Sequence, residues 1–134
     1  MFGSFLLAVF DRDSGHYQSI CRLGTGFSDQ FLKEAFTSLQ PHCIPSPQAD
    51  FRAPTADIDV WLRPTYVWEV KAADFSLSPV HQAAAGLLGT DKGIALRFPR
   101  FRRVRTDKTP QQATSTEEVL ALYKAQVDRA NGSK

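Results

Sequence analysis

The run Phe5-Leu-Leu-Ala-Val-Phe10 stops at Asp11-Arg-Asp-Ser-Gly15 and is followed by the alternating, β-rich run His16-Tyr-Gln-Ser-Ile-Cys-Arg22. Asp and Ser side chains bond their own backbone a residue or two on, and Gly accepts a positive φ, so this cluster turns the chain. Two β-runs around such a turn read as an antiparallel hairpin. No other feature restricts the fold as tightly, because it commits the chain to a sheet at its start. The apolar run is read as a strand rather than a signal peptide: no basic stretch precedes it, and charged Asp11-Arg-Asp13 stands where a small-residue cleavage site belongs.

Beyond the hairpin, Gly24-Thr-Gly26 breaks the ladder and a helix begins. Ser28 is a suitable N-cap, Asp29 complements the helix dipole, and Phe27 with Leu32 fits a hydrophobic staple. Phe31, Leu32, Ala35, Phe36 and Leu39 then recur at helical spacing until Pro41. Pro41, Pro45, Pro47 and Pro54 make residues 41–54 a crossing without regular structure. Strands are expected at Ile58–Leu62 and Val67–Phe75, with Trp68 and Val70 facing the core, and a last strand region at Gly93–Val104, kinked at Pro99. Ser115-Thr-Glu-Glu118 is a capping box that opens a terminal helix over 115–130, with Val119, Leu122, Tyr123 and Val127 as its apolar stripe. The expected architecture is mainly β: a five-stranded OB-fold barrel over 3–110, one helix inserted after the first hairpin, and a C-terminal helix. An SH3-like barrel is the competing topology. At 134 residues the chain is expected to be one domain, 1–134.

Charge is distributed unevenly. Arg97-Phe-Pro-Arg-Phe-Arg-Arg-Val-Arg-Thr-Asp-Lys108 holds six of the sixteen Lys and Arg residues and one acid, while the whole chain reaches only +2. Interleaving those cations with Phe98, Phe101 and Val104 points to a folded, phosphate-binding surface rather than a solvated tail. Arg97, Arg100, Arg102, Arg103, Arg105 and Lys108 are its candidate anion-binding residues. Lys, Arg and Pro on an edge strand also discourage aggregation, but that purpose needs one or two charges. Strict strand alternation puts Leu96 and Phe98 on the core face and Arg97 on the other; a bulge at Pro99 would turn Phe98 outward. Phe101 and Val104 are read as core.

Elsewhere the signals are weaker. Arg22, with the backbone N–H groups of Gly24 and Gly26, is a candidate phosphate contact at the helix start, although the helix start alone accounts for both glycines. His16, His42 and His81 have no ligand-like spacing with one another or with Cys21 and Cys43, so no bound metal is expected. Two cysteines without a companion pattern argue for a reducing intracellular compartment rather than a disulfide scaffold. No apolar stretch has the length to span a bilayer, so no membrane partner is expected. Trp61, Trp68 and Glu69 read as scaffold.

Three further segments stand in a particular order: Ile20-Cys-Arg-Leu-Gly-Thr-Gly-Phe-Ser-Asp29, Val67-Trp-Glu-Val-Lys71 with Leu77-Ser-Pro79, and Asp91-Lys-Gly-Ile-Ala-Leu-Arg-Phe-Pro-Arg-Phe101 running into Arg105-Thr-Asp-Lys108. In these the chain resembles the C-terminal OB-fold domain of eukaryotic ATP-dependent DNA ligases, most closely the ligase I branch, from about Gly3 to Tyr123. Arg105-Thr-Asp-Lys108 is similar to the family's motif VI, Arg-x-Asp-Lys. The resemblance implies that Arg105 and Lys108 orient the pyrophosphate leaving group of ATP, and that Asp107 aims them. It also implies that Arg97 and Phe98 enter the minor groove beside a nick.

The family is adenylated on a lysine within Lys-x-Asp-Gly, and no lysine of this sequence stands in that context. The resemblance therefore implies a portion of a ligase, inactive alone, that acts with a nucleotidyltransferase domain of the same parent chain on nicked duplex DNA. ATP and magnesium would serve the parent enzyme in nuclear replication and repair, with neither held stably here, and the protein is expected to be a monomer. Two other readings remain at this stage: an independent single-strand-binding OB module, and the OB domain of an mRNA-capping guanylyltransferase.

Overall fold

The computed structural model describes residues 4–53 and 58–132; Gly3, where the resemblance begins, and Pro54 of the crossing lie outside them. Strands β1 (Phe5–Asp11) and β2 (His16–Leu23) form the expected hairpin, with Asp11 opposite His16. The turn closes as its composition dictates: the Asp11 carboxylate accepts from the Ser14 hydroxyl at 2.7 Å, and Gly15 sits at φ +74°. Helix α1 (Asp29–Leu39) follows, its first turn capped by the Ser28 hydroxyl, which accepts from the Phe31 N–H at 3.0 Å.

Short pairings occupy part of the proline-rich crossing, contrary to the expectation that it would lack regular structure. A 3₁₀ turn spans Gln40–His42, and β3 (Cys43–Ile44) pairs antiparallel with β5 (Trp61–Leu62). β4 (Phe51–Arg52) runs parallel to β2, and the Phe51 ring meets Tyr17 edge-on at 5.6 Å. The free edge of β2 offers backbone partners, and two aromatic rings secure them. The strand expected over Ile58–Leu62 shrinks to the two residues of β5.

The segment Val67–Phe75 is not one strand. It divides into β6 (Trp68–Lys71) and β7 (Asp74–Ser78), while Gly93–Val104 divides at Phe98-Pro99 into β8 (Gly93–Arg97) and β9 (Arg100–Val104). β6 pairs with β9 and β7 with β8, both antiparallel. Both breaks occur at the same level, where Pro99 lacks an N–H and the Ala73 N–H donates to the Arg97 carbonyl at 3.0 Å. Nine strand segments among the described residues thus stand where five strands were expected, and the result there is mainly β with two helices, consistent with an OB-fold-like domain. Among the described residues the ladders form four short sheets, joined by single bonds such as Phe101 N–H to Thr25 C=O at 2.9 Å.

Among the described residues two apolar clusters fill the interior. One gathers Val9, Ile20, Cys21, Ala83, Ala84, Ile94 and Val119; the other centres on Phe5, Ala35 and Leu39, with Phe27, Phe31 and Trp68 packed against them. Burial pushes the Cys21 thiol up to about 12. Helix α2 (Thr116–Gly132) opens on the expected capping box, with Ser115 and Glu118 exchanging bonds of 3.0 and 3.1 Å. Its buried face differs from the expected stripe: Val119, Leu120 and Tyr123 pack inward, whereas Leu122 is exposed. Gln126 sets that rotation, because its amide takes both the N–H and the C=O of Phe75 at 2.9 Å. Among the described residues no helix is long and apolar enough to cross a membrane.

Gly26 combines a positive φ with a close backbone approach. It adopts φ +95°, and a Cβ there would lie 2.6 Å from both the N and the O of Phe101. Gly26→Ala should therefore cost about 2–4 kcal/mol, from positive-φ strain plus overlap with a backbone that cannot retreat. Gly15→Ala, at φ +74° with open space around it, should cost only about 1 kcal/mol. Chemical denaturation of the two variants compares them directly.

Candidate nucleic-acid interface

The β8–β9 connection carries the most unusual backbone of the basic segment. Phe98 is a non-glycine residue at φ +53°, and its side chain stands in solvent, 75% exposed. Alternation along an unbroken strand would have turned this ring inward. Pro99 interrupts the ladder, Phe98 takes the left-handed conformation, and the alternation restarts beyond it. Phe101 then turns inward and packs between Phe31 at 4.5 Å, Phe27 at 5.0 Å and Trp68 at 5.0 Å. Such pairs add about 1 kcal/mol each beyond simple burial. The Thr25 hydroxyl donates to the Pro99 carbonyl at 3.0 Å, so Gly24-Thr25-Gly26 straps the connection from below. Gly26 is thereby explained by close approach to β9.

Arg97 lies beside the exposed ring, its guanidinium carbon 5.4 Å from the Phe98 centroid. Its fork is held by the carboxylate of Asp74, its partner across the β7–β8 ladder, with Nη2 donating to Oδ2 at 2.8 Å and Nε to Oδ1. The hydrogen bond from Arg97 keeps the Asp74 carboxyl below its ordinary range.

A second carboxylate organises the next three arginines. Glu69 on β6 accepts from Arg103 Nε and Arg105 Nη1, both at 3.2 Å, and Arg102 Nε lies 3.7 Å away. Partial desolvation pushes the Glu69 carboxyl up, but the Arg103 hydrogen bond and the three positive charges outweigh it and hold it low. Arg105 is the least exposed of these arginines, and Asp107 grips its other edge through Nε at 2.9 Å and Nη2 at 2.8 Å. That hydrogen bond, first among several causes, drives the Asp107 carboxyl far below its usual range and the Arg105 guanidinium above its own. Arg100 and Lys108 are exposed and make no ion pair among the described residues.

The structure thus brings Arg97, Phe98, Arg100, Arg102, Arg103, Arg105, Asp107 and Lys108 onto one connected stretch of β8, β9 and the turn beyond. Arg22 is exposed near the end of β2, where its charge adds to burial in lowering the His81 pKa. Sequence reasoning missed Glu69 and Asp74. The signal available was two acids, Glu69 and Asp74, five positions apart in a segment followed later by a strand of arginines, and pairing register, not spacing, makes them partners. Among the described residues no group of three or more His, Cys, Asp or Glu gathers as a metal site. The carboxylates nearest the basic segment are each engaged by arginine, a donor set that does not fit a resident divalent ion.

Residues 1–108 match the family described as ATP dependent DNA ligase C terminal region. The chain is 53% identical over 127 residues to DNA ligase 1 of Arabidopsis thaliana, covering 94% of this chain and 16% of that protein. It is 48% identical to DNA ligase 1 of Dictyostelium discoideum, over 99% of this chain and 11% of that protein. For DNA ligase 1 of Saccharomyces cerevisiae the identity is 42%, over 97% of this chain and 17% of that protein. The chain therefore spans less than a fifth of the length of these relatives.

Two stability measurements separate the rings. Phe98→Ala should leave the melting temperature nearly unchanged, and Phe98→Gly should raise it, since glycine relieves a positive-φ cost of about 1 kcal/mol. Phe101→Ala should destabilise by about 3 kcal/mol, the low end for a core Phe because the ring is only partly buried. A second expectation concerns pH. Glu69, Asp74 and Asp107 all have folded pKa values below their ordinary ones. Their contribution is complete above the unfolded value of about 4 and is lost as pH falls through the folded values. Melting temperature should therefore owe nothing to these three groups' titration between about pH 5 and pH 8, and should lose their contribution only below about pH 4.

Proposed function

The chain belongs to the ATP-dependent DNA ligase family, as its C-terminal region, and from that membership we propose that it grips nicked duplex DNA and supplies motif VI to lysine adenylation. The observation that carries this reading is the exposed Phe98 at φ +53°, flanked by Arg97 and followed by the arginines of β9. A large apolar ring held in a costly backbone conformation contributes little to folding, and such strain persists where it serves a function. In the minor groove beside a nick the ring would act as an apolar wedge, with Arg97, Arg100, Arg102 and Arg103 tracking phosphates. Arg22 and the Gly24–Gly26 backbone would add contacts at the edge of that footprint.

Adenylation transfers the α-phosphoryl of ATP to a lysine nitrogen and expels pyrophosphate, so charge accumulates on the leaving oxygens. Arg105 offers a planar fork to those oxygens and Lys108 a mobile point charge. Asp107 acts by holding the fork: its two bonds to Arg105 fix the guanidinium plane before substrate arrives. The lysine that is adenylated, and any magnesium the reaction uses, belong to other parts of the complete enzyme. On this reading the protein is a single domain, barrel 3–110 followed by helix 115–130. It is monomeric, works with the nucleotidyltransferase domain of its own chain, and acts in the nucleus during replication and repair. Among the described residues the exposed aromatic rings are Tyr66 and Phe98. That is too few for the stacking platform of a single-strand-binding module.

The chain alone should form no lysine–AMP adduct with labelled ATP and magnesium; stable label on it would overturn the division of labour proposed here. It should bind duplex DNA weakly and without sequence preference. If roughly four phosphates are neutralised, the log–log salt slope should be near about −3.6. A slope near zero would sink the interface, and a preference for single strands over nicked duplex would favour the binding-module alternative.

A further inference from the structure

The β6–β9 ladder contains an irregularity at its most charged point. Trp68 pairs with Val104 and Glu69 with Arg103, but Val70 pairs with Phe101, so Arg102 is an extra residue on β9. In a regular strand Arg102 and Arg103 would project from opposite faces. A bulge places two residues against one and re-aims the extra side chain. Both arginines consequently reach the one carboxylate opposite them, at 3.7 and 3.2 Å. Arg105, two residues further on, extends the ladder through its N–H to the Val67 carbonyl at 2.7 Å and brings Nη1 to the same Glu69 oxygen. Glu69 therefore links the two parts of the basic surface: Arg102 and Arg103, suited to DNA phosphates, and Arg105, the motif VI arginine.

We infer that Glu69 is a positioning residue for Arg105, and that it performs this task by sequestering part of the positive charge otherwise available to DNA. Asp107 grips Arg105 from one edge only; Glu69 holds the remaining Nη1, so that the guanidinium is fixed at both ends. The same carboxylate sits among three arginines and lowers the field they present to phosphates. Removing its charge should move the two activities in opposite directions: DNA grip strengthens while adenylation slows. A residue that merely held the fold would weaken both, and one that merely screened charge would leave adenylation alone. Glu69 is partly exposed, with 30% of its side chain accessible, so neutralising it leaves no buried unpaired charge.

The inference rests on the motif VI reading above, and the test separates the two. In the complete ligase polypeptide, Glu69→Gln should tighten nicked-duplex binding by about 5-fold at low salt. The log–log salt slope should steepen by about one phosphate's worth, close to −0.9. The first-order rate of lysine–AMP formation at saturating ATP should fall by about 10-fold, as expected of a misaligned charge clamp. Glu69→Asp, which keeps the charge, should bring both readouts back toward the parental values and serves as the second variant should Glu69→Gln fold poorly. Loss of both activities in Glu69→Gln, with no recovery in Glu69→Asp, would reduce Glu69 to scaffold; adenylation at the parental rate in Glu69→Gln would overturn positioning. If Arg105→Ala slows adenylation and Glu69→Gln does not, only this inference falls. If Arg105→Ala adenylates normally, the motif VI reading fails and this inference with it.

Discussion

The contact on which the candidate surface depends is the meeting of Gly26 with the backbone of Phe101. The Phe101 N–H donates to the Thr25 carbonyl at 2.9 Å, and no side chain larger than hydrogen fits between the two chains. This anchors the start of β9 directly against the segment that leaves β2. With the strand held there, Phe101 has one direction in which to point, into the rings of Phe27, Phe31 and Trp68. Pro99 and Phe98 must then absorb the turn between β8 and β9. A positive φ and an outward ring are the geometric consequence of that anchoring, so the candidate wedge and the aromatic core are two sides of one constraint.

The electrostatics follow the same logic of position. Six cations lie between Arg97 and Lys108, yet four of them are paired with Asp74, Glu69 or Asp107, all supplied by β6, β7 or the turn after β9. These are solvent-accessible pairs that contribute modestly to stability. Their larger effect is orientation: an arginine whose fork is already engaged presents its remaining N–H groups in a defined direction. Arg100 and Lys108 are exposed and, among the described residues, have no such partner. Among the described residues the surface is thus a mixture of cations oriented by carboxylates and cations outside any ion pair.

Much of the local structure was legible because its causes are local. The Asp11–Gly15 turn, the Ser28 cap and the Ser115–Glu118 capping box each depend on residues within four positions of one another, and each forms as read. The break at Pro99 was legible for the same reason, since a missing N–H is a property of one residue. The terminal helix shows the boundary: its start was evident, but its buried face was not. Leu122 outranks Gln126 on any hydrophobic scale, yet Gln126 faces inward because an unpaired backbone at Phe75 needs both a donor and an acceptor.

By itself, then, the sequence determined that this chain opens with a hairpin, caps two helices, interrupts its last sheet region at Pro99 and concentrates its charge just beyond. Its motifs also determined the family, through residues matched along most of the chain. Only the tertiary structure decided that Phe98 faces water and Phe101 does not, because that choice is made by Gly26, more than seventy positions away. Only it decided that Glu69, read from sequence as scaffold, stands among three arginines. Strand register and a one-residue bulge bring those side chains together, and both are settled by packing between distant segments.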